Sequence, residues 1–412
     1  MSGHDLGRPD GGLQSRVRRA DRGHHRTMLA LLAPSVIFVV LFFVVPLALF
    51  MFRSVDNRDL PAMLPATTAA IQDWQGGGLP PEPVFAAMVS DLRALDGGRE
   101  AALLGRRLNH AQSGFRSLIT STLRKLPEGD IADAQATLTR IDDRWSFPEY
   151  WAILRQQSGA LTEFYLLGAL DLERDTQGEI RRVDETRAVF VSLYKRTFQI
   201  SLGVTGLCLL IGFPVAALMS SVTPAAASWL LTMVLVPFWT SLLVRSTAWI
   251  VLLQNEGMVN KTLIWLGLIE TPLPMIYNTT GVYIAMTHVL LPYMILPLYS
   301  VMQGISPSHL RAAASLGASP LKVFTSVYLP LTFPGIAAGC TLVFVIALGF
   351  YVTPALVGGP GDQMIGYFIA YFTNSAVNWG LASALGVLLL AAVALIYLVL
   401  GKLVGLDRLK VR

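Results

Sequence analysis

The side chains able to do chemistry are few, and most stand alone. Arg245 is the only formally charged residue well inside an apolar run, PFWTSLLVRSTAWIVLL, Pro237–Leu253. A charge in such a run is costly and must face protein or water. It therefore either ties down carbonyls or a helix end, or lines a polar path. His288 lies in another apolar run with Pro292 and Pro297, where a lone polar contact between helices is its ordinary role. The two prolines should bend that helix and free backbone carbonyls. Trp249 and Tyr351 join Arg245 and His288 as candidate residues of a pathway or of its structural support. Gly358-Gly359-Pro360-Gly361-Asp362 has the glycines of a phosphate loop but no following Lys-Ser/Thr, and reads as a flexible loop. Neither a Walker segment, nor G-x-S-x-G, nor H-E-x-x-H, nor a carboxylate pair on a helix face occurs, so no catalytic residue is expected. Cys208 and Cys340 sit in apolar runs without His or Cys at ligand spacing and read as buried hydrophobes, with no metal site.

One segment carries more information: SHLRAAASLGASPLKVFTSVYLP, Ser308–Pro330. Leu310–Leu316 has good helix formers, and Gly317 can adopt the left-handed conformation that ends a helix. Ser319 can cap a second helix with Pro320 at its first position, and Pro330 should close that helix. The alanines at 312, 313 and 314 leave a narrow surface able to enter a partner's groove. On local chemistry alone, an ordinary connecting loop fits equally well.

This segment resembles the EAA loop of the membrane subunits of type I ABC importers. Arg311-Ala312-Ala313, Gly317, Val327, Leu329 and Pro330 fall in that pattern's register, with Arg311 where the family has glutamate. By the resemblance, Arg311, Ala312, Ala313, Gly317, Ala318, Pro320, Leu329 and Pro330 couple the chain to an ATPase subunit. Pro237–Leu253 with Gly257 and Asn260, and Gly349–Phe368 followed by Asn378-Trp379, are similar to spermidine/putrescine-type permeases. The resemblance spans roughly Thr197–Leu400 plus the first apolar run.

It implies an all-α membrane protein with the six transmembrane helices of the type I ABC importer fold, plus a small, mainly helical periplasmic domain. The partners it implies are a cytoplasmic ABC ATPase dimer, a second permease subunit and a periplasmic substrate-binding protein. It implies no cofactor in this chain, ATP and Mg belonging to the ATPase. The implied function is a permease subunit in the bacterial inner membrane, carrying polyamines or related small organic cations. Another solute of the same family, such as an amino-phosphonate, an opine or ferric iron, stays open. An ion-coupled secondary transporter would need ionisable groups for coupling, yet no Asp or Glu lies in the apolar runs.

The elements that must position these residues are read from hydropathy. Met28–Phe52 is an uncharged apolar run long enough to span a bilayer, with no cleavage site after it. Five more runs follow: Phe198–Met219, Trp229–Leu253, Val282–Gln303, Phe333–Val352 and Leu381–Leu400. Read as one helix, Trp229 and Trp249 stand about 30 Å apart, one at each membrane face. Gly257–Asn278 reads as a membrane-surface loop with a short helix. The polar insert carries helical patterning over Val84–Leu95, Ala101–Lys125, Ile131–Trp145 and Phe147–Gln157 after the GGGLPPEP linker, Gly76–Pro83. Phe115, Leu118, Ile119 and Leu123 share one helix face.

Charge completes the frame. Of 412 residues, 53% are hydrophobic and 14% charged, against about 25% charged in soluble domains, and mean hydropathy is +0.53. A cytosolic enzyme, a disordered chain and a disulfide-stapled module are excluded. The net charge of +5 comes from the ends, six arginines against three aspartates in residues 1–27 and four basic residues against Asp407 in Gly401–Arg412. That is a mark of orientation on a lipid bilayer, not of nucleic acid. Counting spans puts both termini and the basic loop 304–330 in the cytoplasm, with the insert outside. The expected organisation is a basic tail 1–27, a first span 28–53, the insert domain 54–188, a five-span region 197–400 and a tail 401–412.

Overall fold

The computed structural model describes residues 28, 31–95 and 97–404. The basic tail 1–27 and the last eight residues of the C-terminal tail lie outside the described residues. The chain forms two units, divided after Arg53. In the first, α1 (Leu31–Phe52) is a long apolar helix with exposed side chains such as Phe42 and Phe43, as lipid contact requires.

The second unit begins with the insert. Its helices are α2 (Asp59–Met63), α3 (Pro65–Ala70), α4 (Glu82–Ala94), α5 (Gly97–Asn109), α6 (Phe115–Lys125), α7 (Ala134–Ile141), α8 (Pro148–Gln156) and α9 (Phe164–Gly168). Phe115, Leu118 and Ile119 are fully buried, with Leu123 packed against the same core. Trp145 and Trp151 fill its centre. The Trp145 indole donates to Thr122 Oγ1 at 2.9 Å and that of Trp151 to the Trp145 carbonyl at 2.9 Å. Both buried indoles are thus satisfied, as a dry core demands. The single helix expected over Ala101–Lys125 is two. Gly114 turns the chain at φ +105°, and the Asn109 side chain accepts from the N–H groups of Gly114 and Arg116. A short antiparallel hairpin, β1 (Leu172–Arg174) and β2 (Ile180–Arg182), follows in register Leu172↔Arg182.

The membrane part comprises α10 (Phe190–Ser221), α11 (Pro224–Leu235), α12 (Leu242–Leu253), α13 (Met258–Trp265) and α14 (Thr279–Gln303). Then come α15 (Pro307–Ser315), α16 (Pro320–Leu348), α17 (Val352–Val357), α18 (Ile365–Asn374) and α19 (Trp379–Val404). Helices α10, α14 and α16 pack on one another around Val204, Cys208, Met286, Leu290, Met294, Leu298 and Val343. Small residues allow the close approach, Gly212 and Gly339 both lying against Met294.

Among the described residues, five helices are long and apolar enough to span a bilayer, or six if one bent pair counts as a span. That pair corrects the straight helix expected over Trp229–Leu253. Its arms, Pro224–Trp239 and Leu242–Trp265, meet at 97°. Pro237 has no N–H to donate, the chain tightens into a 3₁₀ turn over Val236–Trp239, and Thr240 and Ser241 are extended. Ser241 Oγ then caps the new helix from Val244 N–H at 3.2 Å. Trp229 and Trp249 therefore stand on different arms and do not mark two faces along one axis.

One further expectation changes. The Gly358–Asp362 segment is locked rather than flexible. Asp362 is buried, and its carboxylate accepts from Gly359 N–H at 2.9 Å and Thr279 Oγ1 at 2.5 Å. Pro292 and Pro297 both lie inside the single helix α14, where neither has an N–H to donate.

Candidate functional site

The segment Ser308–Pro330 forms a helix–turn–helix whose turn is set by three local devices. Helix α15 begins at Pro307, earlier than expected, behind Ser306, whose Oγ accepts from Ser308 N–H. It ends at Gly317 with φ +85°. Gly317 N–H donates to the Ala314 carbonyl at 3.0 Å and Ala318 N–H to that of Ala313 at 3.2 Å. This crossed pair satisfies two otherwise orphaned carbonyls. Ser319 Oγ then accepts from Lys322 N–H, with Pro320 opening α16.

Pro330 does not close the second helix, contrary to expectation. Helix α16 continues from Pro320 to Leu348 through a wide π turn at Phe324–Tyr328. Leu329 N–H donates to the Phe324 carbonyl five residues back, so the ladder has already changed register where Pro330 brings no donor. Arg311, Ala312, Ala313, Gly317, Ala318 and Pro320 thus lie on the helix–turn–helix, while Leu329 and Pro330 belong to the span that anchors it.

Arg311 is exposed. So are Leu316 at 90% and Leu321 at 72%, on either side of the turn. Two large apolar side chains exposed on a well-capped turn form a small apolar surface patch. Their signal in the sequence is an apolar pair flanking Gly-Ala-Ser-Pro.

Of the four candidate pathway residues, the structure joins two directly. Trp249 Nε1 donates to His288 Nδ1 at 3.2 Å, with the rings 5.4 Å apart and edge-on. Arg245 lies one turn before Trp249 on α12, on the same helix face. Its Nε is buried without a hydrogen-bond partner. Ser246, the next residue, meets Thr353 Oγ1 at 3.0 Å, both side chains being fully buried. Tyr351 is half exposed where the chain passes from α16 to α17, its Cβ beside Gly366. Helix α12 is thereby held against α14 through Trp249 and against α17 through Ser246, with the Arg245 guanidinium beside these contacts. The geometry suits a polar contact deep in the membrane region and holds no catalytic constellation. Among the described residues, no cluster of His, Cys, Asp or Glu could hold a metal ion.

The chain is similar in sequence to known membrane transport proteins. Residues 208–406 match the family described as "Binding-protein-dependent transport system inner membrane component". The chain is 32% identical over 246 residues to the spermidine/putrescine transport system permease protein PotB of Escherichia coli K12, covering 58% of this chain and 90% of that protein. It is 37% identical over 215 residues to the PotB of Haemophilus influenzae, covering 51% of this chain and 75% of that protein. The crystal structure of a bacterial ABC transporter involved in the import of the acidic polysaccharide alginate aligns over 54% of this chain and 80% of its own, with 20% identity and a TM-score of 0.44. The chain belongs to the binding-protein-dependent inner-membrane permease family, in its spermidine/putrescine-type branch, and is the non-catalytic, multi-pass membrane subunit of an ABC importer. The family match begins at Cys208, beyond the insert.

Proposed function

We propose that this subunit forms part of the translocation pathway for polyamines or related small organic cations. A periplasmic binding protein delivers the solute. A second permease subunit completes the pathway, and a cytoplasmic ATPase dimer, which binds the ATP and Mg, drives it. Both termini and the α15–α16 turn face the cytoplasm, and the insert faces the periplasm. The observation that carries the substrate reading is the 32% identity to a spermidine/putrescine permease over 90% of that protein's length. The exposed Leu316 and Leu321 on a rigidly capped turn support the ATPase contact.

Arg245 favours a second reading, an anionic or zwitterionic solute of the amino-phosphonate kind. Within the described spans the one carboxylate that could hold a dication is Glu256, exposed in the second arm of the bent pair, whereas the Arg245 Nε is buried and lacks a partner. One experiment separates the two. The complex is purified with its binding protein and reconstituted in proteoliposomes loaded with ATP, and uptake of labelled spermidine, putrescine and 2-aminoethylphosphonate is measured, each alone and with the other class as competitor. The first reading expects ATP-dependent polyamine uptake that the phosphonate leaves unchanged. Uptake of the phosphonate without polyamine uptake refutes it.

A further inference from the structure

The insert is two pieces with different attachments. Its headpiece is closed at a neck: Asn57 N–H donates to the Ala160 carbonyl at 3.0 Å, and Thr162 N–H to that of Val55 at 2.8 Å. Asn57 Nδ2 also donates to the carbonyls of Gln157 and Gly159, at 2.5 and 2.8 Å. The chain between these two neck segments builds the Trp145–Trp151 core.

The remainder, from Thr162 onward, belongs to the ends of the spans. Asp171 caps α10 with both oxygens, accepting from Val189 and Phe190 N–H at 3.1 and 3.0 Å and from Val191 N–H at 2.7 Å. Tyr165 and Ala169 share an apolar cluster with Leu193 of α10, Ile365 of α18 and Leu385 of α19. Tyr194 of α10 donates its hydroxyl to the Leu385 carbonyl at 2.9 Å.

Tyr165 stands where the two pieces meet. Its ring fills a notch at Gly380, the second residue of α19, so closely that any Cβ there would collide with ring carbons. Only 5% of the residue is exposed. On the headpiece side, the Arg107 guanidinium of α5 lies over the ring, 4.9 Å from its centroid. Arg107 Nη2 donates to Asn57 Oδ1 at 2.7 Å, while Nη1 is buried without a hydrogen bond. A cation withdrawn from water with an unfilled donor is costly, and the aromatic face offsets part of that cost only while Tyr165 stays in place. The headpiece therefore has an energetic preference for one position of the ring.

We propose that Tyr165 is a positioning residue for transport. Held by Arg107 from the headpiece, it sits in the Gly380 notch and fixes the outer end of the last span against α10. The inference rests on the permease reading for its functional readout and on the geometry alone for its structural one.

The test uses the full complex with variants Tyr165→Phe, Tyr165→Ala, Arg107→Met and Gly380→Ala. Tyr165→Phe keeps the ring and should transport as wild type. The other three should lower maximal uptake by about fivefold or more, with KM and ATPase co-purification unchanged. Combining Gly380→Ala with Tyr165→Ala should add no further loss, since both break one contact. Wild-type maximal uptake in Tyr165→Ala and Arg107→Met overturns the proposal, and so does loss of the assembled complex in both, which would mark a merely structural role. A second measurement needs no substrate. Spin labels at the exposed positions Val189 and Trp379, in a background lacking Cys208 and Cys340, should give a narrow distance distribution in wild type and a broad one in Tyr165→Ala and Arg107→Met. Unchanged widths overturn the proposal even where the solute proves not to be a polyamine, whereas wild type that imports no polyamine refutes only the substrate reading.

Discussion

Gly317→Val should uncouple transport from ATP hydrolysis, and the size of the effect follows from one torsion angle. Gly317 sits at φ +85°, and a Cβ placed there meets no atom within 4 Å. The penalty is therefore one of backbone conformation and not of space. A residue with a side chain loses about 1–2 kcal/mol in the left-handed region, and a β-branched one is worse placed still. A cost of that size lowers the population of the native turn by roughly a factor of 5 to 30. If only the native turn presents Leu316 and Leu321 correctly, affinity for the ATPase falls by the same fraction. The span α16 does not depend on the turn for its hydrogen bonds, so membrane insertion should persist. A graded series tests the mechanism, because Asn tolerates the left-handed region better than Ala, and Ala better than Val. ATPase retention and substrate-stimulated hydrolysis in the reconstituted complex should fall in the order Gly, Asn, Ala, Val. A flat series, or normal transport by Gly317→Val, would refute both the cost and the coupling role. Arg311→Glu is a companion. It should impair uptake if the ATPase groove is adapted to the cation and be silent if Arg311 is only a solvated helix residue.

Single cysteines at Gly98 and Ser319, both exposed, should react oppositely with an impermeant thiol reagent in intact cells lacking Cys208 and Cys340. Gly98 should label and Ser319 should not; labelling at Ser319 reverses the orientation. Replacing Arg58–Gly159 with a short Gly/Ser linker removes the headpiece but keeps the neck segments, Tyr165 and the Asp171 cap. The spans should insert and the ATPase should co-purify while uptake falls; normal uptake would show the headpiece dispensable. Asp142 accepts from Arg144 Nε and Nη2 at 2.8 and 2.7 Å, with Ser121 Oγ at 2.9 Å, and the Arg144 hydrogen bond holds its carboxyl down at about 2. A pKa depressed by folding stabilises the headpiece above the unfolded value near 4, and that contribution is lost as pH falls toward about 2. Asp142→Asn should cost about 1 kcal/mol at pH 7 after solvent screening. In thermal proteolysis of the headpiece, the gap from wild type should shrink in acid; a gap constant with pH would count against the ion pair.

Much of the Gly317 turn was legible in the sequence because its causes lie within one turn of chain. Gly317 supplies the left-handed residue, Ser319 the cap and Pro320 the first helical position, and each acts on neighbours two to five residues away. The long spans were legible for a related reason, since a bilayer tests each segment for length and hydropathy separately. Local rules misled where a local defect had a compensation further along. Pro330 looked like a stop, yet the preceding π turn absorbs its missing donor, and Pro237, read as part of one span, turns the chain through 97°. The contacts that join the insert to the spans were invisible. Arg107, Tyr165 and Gly380 come from three distant stretches, and nothing in a polar helix, a short aromatic segment or a lone glycine says that they meet. Local backbone chemistry and membrane partitioning are properties of short segments and can be read from residue order. A cation over a ring in a glycine notch depends on which distant surfaces the whole chain brings together, and only the tertiary structure decides that.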